Sequence, residues 1–551
     1  QEFIDSNPLQ RLLVRRYPLT KPDPAPAALS EYADWAIAML ERVEDTIRRV
    51  HERGVVFGDL HPDNVLIGDD RLVLIDYEVA TLAEQQTRSA LAHPGYAAPP
   101  DRHGVEVDEY ALACLCLNLF APQTTMLLPH HPGKARQLAD LITETFPVPK
   151  ATIDRAVATI AGPGTGTAEL PALPLPGRAT WQEVRDSLAR AIRASARPDR
   201  DDRLFPGDIA QFRPGGGTSL GYGAAGVLYA LDQTGAGRFP EYDDWLRKHA
   251  LDPATGVGLY DGLHGVAYVL NELGYRQDAL DALDLSLTAP LDDRDLGLHS
   301  GLSGIGLNLL HFGTEPGLRA AATKVVDLVA DRLGRVDDVP EVSDGGHPRA
   351  GLMFGSSGPA LLFLHAYEQY ADRGLLDLAE IALRQDLRRC VRDEAGTLQV
   401  NQGWRTLPYL EEGSAGIAVV LDRYLRHRAD EELAADLTAL RRVNHCRYFV
   451  QPGLFMGRAG LIASAAMQAG GRDDVVAELV RGLGWHALPY ADGLAFPGDR
   501  LLRLSMDLAT GSAGVLLALG AALHDRSVTL PFFGLPTAAA GPEPTSSRKE
   551  V

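Results

Sequence analysis

Short apolar runs alternate with longer, more polar segments along most of the chain. The runs are apolar on all sides, as in Val515-Leu-Leu-Ala-Leu-Gly-Ala-Ala-Leu523, which predicts buried helices. The segments between them are typical of amphipathic helices that lie outside. Each run begins with a G-x-x-G tetrapeptide, and these recur roughly 40 to 60 residues apart: Gly223–Gly226, Gly262–Gly265, Gly301–Gly304, Gly355–Gly358, Gly413–Gly416, Gly457–Gly460 and Gly511–Gly514.

This repeat predicts a closed array of helical pairs. Seven inner helices with seven outer partners would form a double ring, an α/α toroid, over residues 206–536. Glycines three apart let the starts of neighbouring helices approach closely, and we expect unpaired N–H groups there to point at the centre. A helical array without chemistry at its centre is the open alternative.

The first part of the chain has a different pattern. Residues 33–53 have helical periodicity that stops at Gly54, and the runs 65–67 and 72–75 flank Gly68-Asp-Asp70, which predicts a β-hairpin. Antiparallel pairing would bring Asn64 beside Asp76, with Asp59 on the preceding loop. Phosphoryl transfer uses such a set: Asp59 would accept a hydroxyl proton, while Asn64 and Asp76 would hold Mg²⁺ on the phosphates.

These residues resemble the catalytic and metal-binding loops of protein kinases and of aminoglycoside-phosphotransferase-like kinases. In addition, the segment 93–100 looks like the end of an activation segment, and Asp108 matches the buried aspartate that braces the catalytic loop. The resemblance implies ATP or another nucleoside triphosphate, with Mg²⁺, as cofactors. Phe57-Gly58 stand where many protein kinases have His-Arg, so we do not expect control by phosphorylation of the loop.

The kinase resemblance covers only a large lobe. Gln1-Glu-Phe-Ile4 resembles the hinge between kinase lobes, so a small lobe would precede residue 1. We divide the chain into a kinase-like large lobe, a linker with one helix, the toroid and a disordered tail, at residues 1–163, 164–205, 206–536 and 537–551. The fold class is therefore mainly α.

A kinase followed by seven G-x-x-G repeats resembles the lanthipeptide synthetases. These enzymes dehydrate Ser and Thr in a ribosomal precursor peptide and then add Cys thiols to the products. Where zinc-dependent members hold their metal, this chain has Glu411, Phe455 and Met456, with Phe354 replacing a histidine. That set cannot make a Cys/His zinc site, so the resemblance is to class III, which works without zinc and has a lyase that would also precede residue 1.

Cyclisation without zinc needs other helpers at the starts of the repeats. A thiol with pKa ~8.5 is partly ionised near neutral pH, and holding it near the alkene can add a larger factor than zinc does. The candidates are His264 and His299 as base, Arg458 to favour thiolate or enolate, and Tyr409 and Asp507 as proton donor or orienting group. His445-Cys446, an adjacent pair upstream of the sixth repeat, is interpreted as structural.

Charge and composition exclude several other partners. The formal net charge of −20 argues against nucleic acid and anionic membranes. The four cysteines form no C-x-x-C pair, and no signal peptide or membrane-spanning run is present, which favours the cytoplasm. Arginine outnumbers lysine, as in GC-rich bacterial genomes, and the oligomeric state stays open.

The resemblance therefore implies an enzyme of lanthipeptide biosynthesis that phosphorylates a precursor peptide and closes its thioether rings. Two alternatives remain. The toroid could hold the peptide without catalysis, or the kinase-like part could be an aminoglycoside-phosphotransferase-like kinase for small molecules.

Overall fold

The computed structural model describes residues 6–68, 71–85, 91–131, 133–162, 171–345, 349–469 and 474–534. The predicted tail, Asp69 and Asp70 of the predicted hairpin turn, and the first residues of the predicted hinge lie outside these ranges. Within the described residues, no helix has both the length and the apolar content needed to cross a bilayer.

The N-terminal region packs around two helices. Helix α2 buries one stripe, with Ala36, Leu40 and Val43 spaced three or four residues apart, against α3, which is buried along most of its length. Smaller helices complete this core. The helices are α1 (Leu9–Arg16), α2 (Pro26–His51), α3 (Glu106–Phe120), α4 (Lys134–Thr145) and α5 (Lys150–Ala161).

The predicted hairpin is confirmed. Its strands pair antiparallel with Val65 opposite Leu74, and a third short strand joins its edge. The strands of this region are β1 (Asn7–Pro8), β2 (Val55–Val56), β3 (Val65–Ile67), β4 (Leu72–Leu74) and β5 (Thr81–Leu82).

The repeats form the predicted double ring. Each inner helix begins at its G-x-x-G, neighbouring inner helices contact one another in order, and the last returns to the first. This confirms the mainly α class and the toroid. The inner helices are α7 (Ala224–Gln233), α9 (Leu263–Glu272), α11 (Leu302–His311), α13 (Ser357–Tyr370), α15 (Ser414–His427), α17 (Arg458–Ala469) and α19 (Ser512–Leu523).

Six outer helices follow the first six inner ones in sequence, but the seventh comes from before the repeats. Helix α6 (Trp181–Ser195) packs on α19, and its Leu188 and Ile192 are buried in the toroid core. In sequence this helix falls within the predicted linker 164–205. Its apolar stripe needs a partner, and α19 has no outer helix after it within the described residues. The other outer helices are α8 (Pro240–His249), α10 (Arg276–Ser286), α12 (Pro316–Arg332), α14 (Arg373–Arg388), α16 (Glu431–Arg441) and α18 (Asp474–Arg481).

Short strands and 3₁₀ turns lie in the connections between helices. The strands are β6 (Cys390–Arg392), β7 (Leu398–Asn401), β8 (Thr406–Leu407), β9 (Leu488–Tyr490) and β10 (Gly493–Ala495). The 3₁₀ turns are Pro18–Thr20, Pro62–Asn64, Thr124–His130, Ile209–Phe212, Val336–Asp338, Arg442–His445, Gly482–Trp485 and Asp499–Leu501.

Two loops of the toroid are buried in the N-terminal core. Tyr448 and Trp485 belong to the apolar cluster around α2 and α3, and the Tyr448 hydroxyl donates to the carbonyl of Pro122 at 2.6 Å. The buried Lys134 amine in turn donates to the carbonyl of Ala487 at 2.9 Å. The two regions therefore share a buried, hydrogen-bonded interface.

Candidate functional site

The loop before the hairpin brings Asp59 and Asn64 together. The Asn64 amide donates to the backbone carbonyl of Asp59 at 3.0 Å and to its carboxylate at 3.2 Å. The backbone N–H of His93, in the segment that resembles an activation segment, donates to the other carboxylate oxygen of Asp59 at 3.2 Å. Asp59 is half-buried, so its carboxylate is fixed yet accessible to a substrate hydroxyl.

The Asp108 carboxylate holds this loop in place, as the resemblance to kinases implied. Its carboxylate is fully buried and accepts the backbone N–H groups of Phe57 and Gly58, each at 2.8 Å. The His51 ring is a third partner at 2.8 Å. A carboxylate held by two backbone amides fixes the loop that carries Asp59.

Asp76 follows the second strand of the hairpin. The N–H of Ile75 donates to the carbonyl of Asn64 at 3.0 Å, which places Asp76 next to the Asn64 end of the ribbon. Asp76 is exposed and has a positive φ of 66°. Oxygen ligands from an amide and a carboxylate at one end of a ribbon suit Mg²⁺, so these residues fit the cofactor that the resemblance implies.

A closed circle of backbone hydrogen bonds surrounds the toroid axis, and the sequence did not reveal it. The residue two positions before the first glycine of each repeat donates its N–H to the carbonyl of the equivalent residue in the next repeat, at 2.7–3.0 Å. The last residue donates back to the first. The members of this central ring are, in order, Gly221, Tyr260, His299, Met353, Glu411, Phe455 and Ala509.

Phe455 reaches across the central ring. Its aromatic ring lies 5.2 Å from that of Tyr260, 6.1 Å from that of His299 and 6.5 Å from that of Tyr222, residues that belong to the first three repeats. Phe354 stacks on His299, with the two ring centroids 5.2 Å apart. Aromatic side chains from several repeats therefore line the centre of the toroid.

His299 joins a chain of polar groups in this aromatic centre. Its Nε2 lies 3.3 Å from the Tyr222 hydroxyl, and its Nδ1 lies 2.8 Å from the Ser300 hydroxyl. Ser300 then donates to the Asp261 carboxylate at 2.7 Å. Burial lowers the pKa of His299, with Asp261 acting in the opposite direction. The predicted candidate His299 therefore lies at the centre.

Glu411 is the carboxylate of the central ring. Burial raises its pKa to about 7, while the nearby Arg349 guanidinium opposes that shift. Its charge is felt by the Tyr222 hydroxyl, whose pKa is raised chiefly by burial and next by Glu411. In the sequence, this position is distinguished only as one where metal-dependent cyclases hold zinc.

The residues at this centre do not fit zinc. Phe455 has no donor atom, Met456 offers a thioether and Glu411 a single carboxylate. In the described part of the chain, no three His, Cys, Asp or Glu side chains are grouped to hold a metal ion. His445 and Cys446 lie at the interface with the N-terminal region, where they bond to Asp23 and to the carbonyl of Thr20.

His264 and Asp507 are held by the scaffold. The His264 ring is buried between helices, with Ser286 at 3.3 Å and Asn308 at 3.2 Å, and burial lowers its pKa to about 3. The Asp507 carboxylate accepts the backbone N–H groups of Thr510 at 2.7 Å and Asp208 at 2.8 Å. The hydrogen bonds of both side chains are therefore made with neighbouring groups of the protein.

Arg458 is buried away from the central ring. Its guanidinium donates to the carbonyls of Arg447 at 2.6 Å and Leu479 at 3.4 Å, and burial lowers its pKa to about 10. It forms no ion pair with Glu411 within the described residues. Tyr409 lies near this group, and burial raises its pKa. These contacts support a structural role for Arg458, and its action on a thiolate or enolate stays a prediction.

The expected free N–H groups at the inner helix starts are paired in several repeats. The first N–H of an inner helix donates to a carbonyl seven residues upstream, as in Leu302 to Asp295 and Arg458 to Gln451, both at 2.9 Å. The prediction of unpaired donors at the centre is wrong for these helices, because their connecting loops fold back to satisfy them.

The fold and the two sites define a protein with a kinase-type catalytic loop joined to a helical toroid. Residues 2–160 match the protein kinase domain family. Over 98% of its length the chain is 44% identical to the probable SapB synthase of Streptomyces coelicolor. It spans 63% of the length of that relative. These two matches confirm the resemblance to class III lanthipeptide synthetases.

More distant similarities cover single regions. A stretch covering 19% of the chain is 30% identical to the calcium/calmodulin-dependent protein kinase cmkA of Emericella nidulans, and covers 26% of that protein. Among solved structures, nisin cyclase is 12% identical with a TM-score of 0.41, covering 57% of this chain and 91% of its own. An inactive variant of an α-1,6-mannanase of Salegentibacter is 14% identical with a TM-score of 0.36, covering 62% and 99%.

Proposed function

We propose that this chain acts in lanthipeptide biosynthesis, phosphorylating Ser and Thr of a ribosomal precursor peptide and closing its thioether rings. The observation that carries the proposal is the 44% identity to SapB synthase, which runs through both the kinase-like region and the toroid. Elimination of the phosphate is expected from a lyase, and the reaction belongs in the bacterial cytoplasm.

In the phosphorylation step, the peptide hydroxyl attacks the terminal phosphorus of ATP or another nucleoside triphosphate, the bond from that phosphorus to the bridging oxygen breaks, and the nucleoside diphosphate leaves. Asp59 is placed to accept the hydroxyl proton, because its carboxylate is held by Asn64 and by the N–H of His93. Asn64 and Asp76 would hold Mg²⁺. When bound, the ion neutralises charge on the transferred phosphate.

In the cyclisation step, a Cys thiol adds to a dehydroamino acid of the same peptide. The aromatic walls around Phe455 provide an apolar surface that can hold both groups together, and proximity alone can supply a large part of the rate. We propose that this step needs no zinc. The donor set Glu411, Phe455 and Met456 supports that proposal.

The decisive experiment supplies the protein with precursor peptide that has already been dehydrated and follows the loss of free thiol. A cyclase speeds this loss above the rate without protein, and chelator leaves the acceleration unchanged. If thiol is lost at the uncatalysed rate, the toroid only holds peptide. If metal analysis finds about one zinc per chain, zinc independence fails.

A further inference from the structure

Glu411 differs from every other member of the central ring. Its neighbours along the ring are Met353 and Phe455, to which it is bonded through the backbone at 3.0 Å on each side. Within the described residues, its half-buried carboxylate forms no hydrogen bond or ion pair. Because no described side chain holds this partly exposed carboxylate, it is free to contact a bound peptide, and ionisable groups in such settings are common at functional sites.

The adjacent Glu412 shows what a structural carboxylate looks like in this fold. It accepts from Ser343 at 3.0 Å and from Gln402 at 3.2 Å, and lies 3.6 Å from Arg349. Three partners therefore satisfy Glu412, while the carboxylate of Glu411 has none among the described residues. Glu412 therefore stabilises the fold, whereas the carboxylate of Glu411 is available for another role.

We propose that Glu411 is the proton-transfer residue of thioether formation, taking the proton of the Cys thiol and returning it to the peptide. This inference rests on the proposed cyclase function.

The step balances with this one group. The Glu411 carboxylate accepts the S–H proton, and the sulfur electron pair forms a C–S bond to Cβ of the dehydroamino acid. The electrons of the C=C bond move to Cα and its carbonyl as an enolate. The carboxylic acid then protonates Cα, which restores the carboxylate and leaves the thioether.

The charged and titratable groups facing Glu411 agree with this role. Arg349 favours the carboxylate, whereas burial, Glu412 and Asp499 favour the neutral acid, which leaves the pKa near 7. A base serves best when its pKa is close to the working pH. The Tyr222 hydroxyl also faces Glu411, but its hydrogen-bond partner is His299.

The test compares the parent chain with Glu411→Gln on a synthetic peptide that carries one dehydroalanine and one cysteine. Thiol loss is measured across the pH range around neutrality alongside the peptide alone. We expect the parent rate to rise with a midpoint near pH 7. Glu411→Gln should be at least about ten-fold slower at neutral pH, and its residual rate should follow ionisation of the thiol, near pH ~8.5.

Two further measurements exclude a structural explanation. Glu411→Asp keeps the carboxyl, so it should keep the midpoint near pH 7 at a reduced rate. The raised pKa of Glu411 means that stability falls as pH rises towards 7, because the carboxylate form is the disfavoured one. Glu411→Gln should consequently melt at least as high as the parent in mildly alkaline buffer.

The outcomes separate failure of the cyclase function from failure of the Glu411 inference. If the parent does not accelerate thiol loss, the cyclase function and this inference fall together. If the parent is active and Glu411→Gln has the same rate and pH profile, only the inference is overturned. It is overturned as well if His299→Asn, and not Glu411→Gln, removes the midpoint near pH 7.

Discussion

Asp59 lies on a loop fixed from two sides, and this placement decides its predicted effect. Asp59→Asn keeps the size of the side chain but cannot accept a proton. We expect peptide phosphorylation to fall at least about 10²-fold, the scale of general-base loss. Phosphopeptide formation measured by mass spectrometry checks this.

Asp63 provides the matched control for Asp59. It lies on the same loop, with a side chain 61% exposed, and its neighbour is the His61 ring at 3.8 Å. Asp63→Asn should phosphorylate peptide within about two-fold of the parent, since this exposed carboxylate forms no hydrogen bond with Asp59 or Asn64 among the described residues. Equal losses in both variants would remove the special role of Asp59.

Arg458 should matter for stability and not for chemistry. Arg458→Gln leaves the carbonyls of Arg447 and Leu479 without their buried donor, which costs about 1–3 kcal/mol of unfolding free energy. The exposed Arg447→Gln keeps its carbonyl and should be nearly neutral. Thermal melting and cyclisation rate are compared; normal melting with slow cyclisation would restore the catalytic interpretation.

Single residues were predictable from sequence where a motif fixes their neighbours. Asp59, Asn64 and Asp108 lie in short segments with a fixed pattern, and the structure places them together. Arg458 was not predictable, because a position at a helix start does not say towards which side a long side chain turns. Glu411 has ordinary neighbours in sequence, and only its lack of partners among the described residues distinguishes it.

Among the elements, the second glycine of each repeat sets the distance between inner helices. A Cβ at Gly304 would lie 2.2 Å from the Leu298 carbonyl and 2.7 Å from Leu259 Cβ of the preceding repeat. We expect Gly304→Ala to lower the unfolding free energy by about 1–3 kcal/mol through overpacking.

Gly317 is the matched control, since a Cβ there meets no atom within 4 Å among the described residues. Gly317→Ala lies inside the outer helix α12 and should be neutral or stabilising by up to about 1 kcal/mol. Both variants are compared by thermal melting. Equal melting of Gly304→Ala and the parent would show that the helices separate at little cost.

The helices of the toroid could be predicted from the sequence, because each G-x-x-G tetrapeptide is followed by an apolar run. The circle of backbone bonds was not, because hydrogen bonds between residues such as Gly221 and Ala509 join points far apart in sequence and involve no particular side chain. Equal spacing before each G-x-x-G was the one available signal.

At the scale of the whole molecule, we expect the toroid to fold cooperatively only when α6 is part of the chain. A chain covering 171–534 keeps Leu188 and Ile192 on the face of α19 and should unfold in one cooperative thermal transition. A chain covering 206–534 leaves that apolar face uncovered and should aggregate or melt without cooperativity. Equal cooperative melting of the two would show that α6 is dispensable.

The sequence hides this role because α6 lies between two proline-containing segments and carries no repeat glycine, as a helix in a connector would. Amphipathic character predicted that its stripe would be buried, but not against which surface. Only the count of outer helices, one short after the last repeat, could have indicated the partner.

Because the central ring of backbone hydrogen bonds is closed, the chain could begin at any repeat without changing how the repeats are arranged around the axis. In an open solenoid, terminal repeats need special capping faces, but here each repeat has a neighbour on both sides. The early position of α6 shows the same freedom, since the helix that covers the seventh repeat is made before the first. The toroid is thus a circular permutation of a simple inner-then-outer array.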